Sequence, residues 1–538
     1  MIYVCFSETF RAKHDTVEPK LKLRKFNTSS VSAIPLRLPI LLVFAFVAAT
    51  ALQGTRGLCK TTEGRYAECA REMTQTGTWL EPVLNGQPHW TKPPLTYIAM
   101  IAPFKVFGPT TWAARLYLIP CYLITIVGVW WLALRLWKSR EYADISALVY
   151  ATSAFPMIAS HVISTDCLLT AALALTQAAF WEALRKRSRW AIHLIWFFLG
   201  IAFMIKGPPA LLVVPAMIAV WARLPREIRR QVPLFSFSAI LLFFVVGFGW
   251  YAFEAIQHPG LANYWLHDEV VARSFTKGSH RNPEFYKNFE LYLPPFLFGT
   301  FPWSAWLIYR WRTVRDLILL TGTKKRNWKK LSDETFWLLW AVILPALVFT
   351  FSRSKLPLYI LPLFVPFAVA AGRILFAIDG HKPWFGKYVL RAMCIMFLFF
   401  IFGKAVAGVV LQEKDMARLH RQLTEDFGVV NPKNVAVFGH SHPNGLSFYY
   451  NDSLRLLSTV EELDAWMKSK GSQFLLCHNP REEVELDEYF LDLPIKKQTL
   501  NKEWRLYRFP EGSELFVSNL EKNAKPFKKH TTFFIPIK

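Results

Sequence analysis

Apolar runs long enough to cross a bilayer recur from residue 34 to residue 411, each bounded by a polar connection. A membrane-crossing helix satisfies its backbone N–H and C=O groups internally and needs about 20 mostly apolar residues. About eleven stretches meet that requirement. They are 34–53, 112–134, 142–160, 166–184, 190–205, 208–222, 233–253, 291–309, 335–351, 357–378 and 388–411. The pattern specifies a polytopic α-helical membrane protein. The first run lacks a small-residue cleavage site and reads as a retained span, not a signal peptide.

Charge placement orients these spans. The leader, residues 1–33, carries Arg11, Lys13, Lys20, Lys22, Arg24 and Lys25, which predicts a cytoplasmic N-terminus. Counting alternately, the inner connections become Arg135–Arg140, Arg185–Arg189, Arg223–Arg230, Arg310–Lys330 and Arg373–Arg391, all rich in Lys and Arg. The outer connections are 54–111, 161–165, 206–207, 254–290 and 352–356 and hold most of the loop acids. The net charge of +24 is therefore a topology signal, and nucleic acid is excluded as a partner. Seven scattered cysteines form no disulfide framework, and Cys59 and Cys69 in the first outer loop are expected to stay unpaired.

From about residue 412 the composition becomes that of a soluble domain. Buried strands are predicted at 434–438 and 473–477, an amphipathic helix at 459–469 and an edge strand at 503–508. The organisation read from the sequence is a leader (1–33), a membrane domain (34–411) and a small α/β domain (412–538) on the outer side. No internal repeat is visible.

Ionisable groups at membrane depth are costly, so those at the outer ends of spans are the candidates for function. Glu63 closely follows the first span and is placed as a general base. It opens a helical pattern over 64–76, with Tyr66, Cys69, Ala70 and Met73 on one side and Glu68, Arg71 and Glu72 on the other. That pattern predicts a helix lying along the membrane surface, and a purely structural amphipathic helix explains it equally well. Lys92 precedes Pro93 and Pro94, which hold its backbone extended and present a fixed cation to an anionic headgroup. A snorkelling lysine is the plainer alternative.

The turn at 161–166 places His161 and Asp166 outside, with Ser164 or Thr165 as helix cap. Asp166 in the first turn is also simply favoured by the helix dipole. Lys206 sits between two spans with almost no loop and needs an anionic partner. The 254–290 loop interleaves His267, Arg273 and other charges with aromatic rings, and its single histidines lack metal-ligand spacing. Lys355 precedes Pro357 at a span start, with Tyr359 just inside. Several outer loops thus bring cations to one membrane level, which fits phosphate binding at the interface.

The string E-G-R-Y-A-E-x-A-R-E-M at 63–73, then G-T-W-L-x-P-x-L-N-G at 77–86 and K-P-P-L at 92–95, resembles the aminoarabinose transferase and protein O-mannosyltransferase-like family of bacterial GT-C glycosyltransferases. A-A-R-L (113–116), S-T-D (164–166), K-G-P (206–208), P-W (302–303) and S-K-L-P-L-Y (354–359) follow in the family's order. The resemblance implies a GT-C fold with periplasmic interfacial helices in the bacterial inner membrane. It implies a polyprenyl-phosphate sugar donor used at the periplasmic face, and a glycolipid, other surface glycan or protein as acceptor. It places catalytic carboxylates at Glu63 and Asp166 and donor-phosphate contacts at Lys92, Lys206 and Arg273, with Tyr359 nearby. Arg65, Tyr66, His161, His267 and Lys355 complete the expected substrate-binding set.

Two residues depart from the family. Members usually show Asp-Glu where this chain has Thr62-Glu63, and Glu directly before Lys-Pro-Pro where it has Thr91. The second change removes an expected metal ligand, so a divalent metal is not assigned. The expected activity is displacement at the anomeric carbon of a lipid-phosphate sugar. A protein O-mannosyltransferase-like enzyme, a catalytically weak relative and a lipid transporter stand as rivals, the last without the internal repeat usual for transporters.

Overall fold

The computed structural model describes residues 37–60, 62–267, 282–315, 331–410, 414–439, 442–469, 473–478, 480–490 and 495–509. Arg273 and the leader lie outside the described residues. Among those described, seven helical stretches of 18 residues or more are apolar enough to cross a membrane. They are Thr111–Trp137, Thr165–Lys186, Arg189–Lys206, Phe237–Gln257, Asp333–Phe351, Pro357–Asp379 and Phe385–Val410. The chain is a multi-pass membrane protein.

The other predicted spans are shorter or interrupted. The run 142–160 divides into Arg140–Thr152 and Ala154–Ala159, with extended backbone at Ser153. Pro156 has no N–H for the Thr152 carbonyl, so the helix cannot run through. The run 291–309 divides into Leu293–Gly299 and Trp303–Tyr309 about Pro302 in the same way. Pro208 and Pro209 open a 3₁₀ turn, Pro208–Val213, before the Val214–Arg223 helix. One apolar helix, Leu95–Phe107, occupies what the sequence suggested was outer loop. It has 13 residues, too few to cross a bilayer.

The Thr62–Thr76 helix departs most from expectation. Its polar side does not face solvent: Glu68, Arg71 and Glu72 are all buried. The Asn444–Tyr450 helix of the C-terminal region covers them. The amphipathic pattern is real, but its polar stripe faces protein.

That C-terminal region is built on a five-stranded sheet. A short hairpin of β1 (Val83–Leu84) and β2 (Gln87–Pro88) precedes it in the chain. The sheet strands are β3 (Val435–Phe438), β4 (Arg455–Leu457), β5 (Phe474–Cys477), β6 (Lys496–Thr499) and β7 (Arg505–Arg508), in the order β4-β3-β5-β7-β6. β3 pairs in parallel with β4 and β5, and β7 runs antiparallel to β5 and β6. Val435 and Val437 join one apolar core and Ala436 and Phe438 another, so both faces of β3 are covered. This explains an uninterrupted apolar strand. The predicted helix at 459–469 is Val460–Met467, started by a capping box of Thr459 and Glu462. The strand at 503–508 is not an edge: β6, polar and fully exposed, lies outside it.

Candidate active site

Two carboxylates at span ends have contrasting surroundings. Glu63 is almost fully buried, 3% exposed. Arg56 grips both its oxygens, Nη1 and Nη2 each donating at 2.7 Å. Arg115 Nη2 lies 3.3 Å from both, and the backbone N–H groups of Ile163 and Cys59 donate at 3.1 and 3.3 Å. Arg115 also donates to the carbonyls of Arg56 (2.6 Å) and Gly57 (3.1 Å). Burial alone would raise the Glu63 pKa, but the two guanidinium groups and these hydrogen bonds win and hold it down to about 2. Glu63, expected as a general base, is a carboxylate saturated with donors, inside a knot that joins the chain after the first span to the 161–164 turn.

His161 belongs to the same knot. Its Nδ1 lies 2.6 Å from Gln53 Oε1, and Gln53 Nε2 donates to the Ser160 carbonyl at 3.0 Å. Burial and the nearby Arg115, Lys404 and Arg56 charges push the imidazole down to about 2, so it is neutral. Lys404, from the 385–410 span, donates to the carbonyls of Ala48, Ala49 and Ala51 and to Gln53 Oε1. It satisfies the open C-terminal carbonyls of the first helix. Sequence reasoning missed Gln53, Arg56, Arg115 and Lys404 as partners. The A-A-R-L motif was the available signal for Arg115.

Asp166 is set differently. Ser164 caps the Thr165–Lys186 helix, its Oγ accepting from Asp166 N at 3.2 Å, and Asp166 falls in the first turn as predicted. Its carboxylate forms an ion pair with Lys206 at the end of the neighbouring span. Lys206 Nζ also lies 4.1 Å from the centroid of the Tyr359 ring. The buried Tyr66 phenol feels Asp166, Lys206, Arg65 and Tyr359 together, and burial raises its pKa. The Arg65 guanidinium lies 5.5 Å from the Tyr66 ring, and its Nε is buried without a hydrogen-bond partner among the described residues. Five predicted residues thus converge: Arg65, Tyr66, Asp166, Lys206 and Tyr359.

The remaining predicted residues have other surroundings. Lys92 is half-buried, its Nζ donating to the Thr91 carbonyl at 2.7 Å. The loop before it is held by Trp90, whose ring packs against Trp250 and His258 at a tilt and Trp265 edge-on, and whose carbonyl accepts from Trp265 Nε1 at 2.9 Å. Lys355 is 2% exposed and donates to the Pro283 carbonyl at 3.3 Å. It is tied inward and is not a surface cation. His267 is exposed. Thr91 Oγ1 sits 2.8 Å from His89 Nε2. Among the described residues no group of three His, Cys, Asp or Glu side chains is placed to hold a metal. A hydroxyl and one imidazole do not make a divalent-metal site at 89–91.

Residues 36–264 match the dolichyl-phosphate-mannose-protein mannosyltransferase family. An undecaprenyl phosphate-alpha-4-amino-4-deoxy-L-arabinose arabinosyl transferase from Sodalis glossinidius is 31% identical over 325 residues, covering 59% of this chain and 56% of that protein. A transferase of the same name from Pectobacterium atrosepticum is 29% identical over 386 residues, covering 69% and 64%. The matches thus span 56% and 64% of the length of these relatives. The crystal structure of ArnT from Cupriavidus metallidurans bound to undecaprenyl phosphate superposes with a TM-score of 0.69 at 18% identity, over 88% of this chain and 98% of that one. The fold is ArnT-like. The resemblance drawn from the first outer loop is borne out, and the ArnT-like scaffold accounts for the helical membrane part and the small C-terminal sheet together.

Proposed function

We propose that this protein is a glycosyltransferase that moves a sugar from a polyprenyl phosphate to an acceptor, lipid A or another surface glycolipid, by displacement at the anomeric carbon. The observation that carries the reading is the convergence of Asp166, Lys206, Tyr359, Tyr66 and Arg65 within an ArnT-like fold. The relatives named above are arabinosyl transferases, and the superposed structure holds undecaprenyl phosphate. On this reading the group works at the periplasmic face of the bacterial inner membrane, with the C-terminal region on the same side, which the Lys- and Arg-rich connections at the opposite span ends support.

The chemistry follows from charge. The polyprenyl phosphate leaves as an anion, and Lys206, Arg65 and Lys92 stabilise the charge as it develops. An arriving phosphate competes with Asp166 for the Lys206 ammonium. Phosphate capture thereby releases the Asp166 carboxylate, which takes the proton of the attacking acceptor hydroxyl. Glu63, fully occupied, positions the 161–164 turn that carries Asp166. Thr62 then costs no reacting group, because the reacting carboxylate is elsewhere. The match to the protein mannosyltransferase family favours a protein acceptor as the second reading.

Purified protein incubated with undecaprenyl-phosphate-linked aminoarabinose and lipid A tests this directly. The expected result is modified lipid A and stoichiometric free undecaprenyl phosphate, both abolished in Lys206→Met. Free lipid phosphate with a glycosylated protein instead of lipid A would select the second reading. No consumption of any lipid-phosphate sugar by folded protein would defeat both.

A further inference from the structure

We propose that the connection between the Val214–Arg223 and Phe237–Gln257 helices is a binding site for the phosphate-bearing headgroup of an anionic phospholipid, on the membrane face opposite Asp166 and Lys206. A cavity of about 370 Å³ opens there, lined by Trp221, Arg226, Arg229, Arg230, Pro233 and Phe235. The Arg226–Gln231 helix carries all three arginines.

Basic residues are expected on this face for topology alone, so their pairing decides the matter. Several buried or half-buried cations elsewhere on it are matched by acids. Arg135 pairs with Glu182, Arg185 with Glu334, Arg223 with Asp333, and Arg310 and Lys382 with Asp379. Arg226, Arg229 and Arg230 make no ion pair among the described residues, and the one acid of their helix, Glu227, is exposed and bonded to none of them. The Arg229 Nε is buried without a hydrogen-bond partner among the described residues. Three guanidinium groups around one cavity leave positive charge and unused donors for an anion, and the guanidinium fork matches phosphate oxygens in pairs.

The cavity wall is fixed. Trp221 Nε1 donates to the Val232 carbonyl at 2.8 Å, its ring meets Phe235 edge-on at 5.5 Å, and the Arg229 guanidinium lies 5.5 Å from its centroid. The cavity also adjoins apolar surface: Phe235 is 44% and Phe237 82% exposed. Exposed rings at a span end belong at the lipid–water interface, where the acyl chains of the bound phospholipid would run along them. A free phosphate has no use for that surface, and this favours the bilayer as the source.

The test uses the full chain in detergent, with lipid retention followed by native mass spectrometry, and needs no sugar transfer. Wild type is expected to retain one phosphatidylglycerol in preference to phosphatidylcholine. Retention should weaken about fivefold for each arginine removed, in Arg229→Ala and then in Arg226→Ala/Arg229→Ala/Arg230→Ala. A control, Lys138→Ala/Arg187→Ala, removes exposed cations from other connections of the same face and should retain lipid as wild type does. A large excess of inorganic phosphate should not displace the lipid. Equal retention by the triple variant, or equal retention of phosphatidylcholine, overturns the proposal. Displacement by inorganic phosphate overturns the lipid assignment in favour of a soluble phosphate.

Discussion

Glu63 and Asp166 are both buried acids beside cations at span ends, yet their surroundings differ sharply. Glu63 meets two guanidinium groups and two backbone N–H groups. Asp166 meets Lys206 alone among the described residues, and Lys206 in turn faces Tyr359. A carboxylate with every lone pair engaged is a structural post. One with a single exchangeable partner can give that partner up to an incoming anion. On the proposed reading, the number and kind of its partners, and not burial or charge proximity, mark the reacting acid.

The comparison is broken or sharpened by removing each acid in turn. Asp166→Asn should lower sugar transfer by about 10²–10⁴-fold, the usual worth of a proton acceptor, with a smaller drop in melting temperature than Glu63→Gln because one ion pair is lost and not two. Glu63→Gln should act the other way round. It leaves buried Arg115 without its counter-charge and should cost about 3–5 kcal/mol of stability, read as a large drop in melting temperature. Activity measured well below that temperature should fall far less than in Asp166→Asn.

The same carboxylate sets a pH dependence. Its pKa is about 2 in the folded protein against 4.5 in a free side chain. The folded state thus binds fewer protons between these values, and stability present above about pH 4.5 is lost as the pH falls toward 2. A thermal-shift series over that range should show this slope in wild type and a flatter one in Glu63→Gln.

The smallest effect concerns the contact that covers the first outer helix. A Cβ on Gly64 would meet Gly445 N at 2.3 Å. Gly64→Ala should therefore force the C-terminal region away at a cost of about 1–3 kcal/mol. Faster proteolysis of the 416–508 region would report it, while an unchanged digestion pattern would show that the contact is dispensable.

The spans were legible because a bilayer imposes one length and one composition on any segment that crosses it. The Leu95–Phe107 helix was not, because 13 residues with Pro103 inside satisfy no length rule. The polar stripe of Glu68, Arg71 and Glu72 was visible, but sequence spacing does not say whether water or protein covers it. Here Arg71 Nη1 reaches the Asn451 carbonyl at 3.0 Å, and the Glu72 carboxylate accepts from Ser453 Oγ at 3.1 Å. The strand at 503–508 was misplaced as an edge because the true edge, Lys496–Thr499, is too polar to register as a strand. Within the site, the span-end position and the motifs brought out Asp166, Lys206 and Tyr359. The Arg56 and Arg115 clamp on Glu63 stayed hidden, since it depends on how the first and second spans pack.

The most direct test sets Asp166→Asn beside Glu63→Gln, measuring sugar release from undecaprenyl-phosphate-linked aminoarabinose and melting temperature on the same preparations. The account predicts a folded, inactive Asp166→Asn and a Glu63→Gln that melts well below it yet still turns over when cold. A stable Glu63→Gln without activity, beside an active Asp166→Asn, would contradict it and return the reacting role to Glu63.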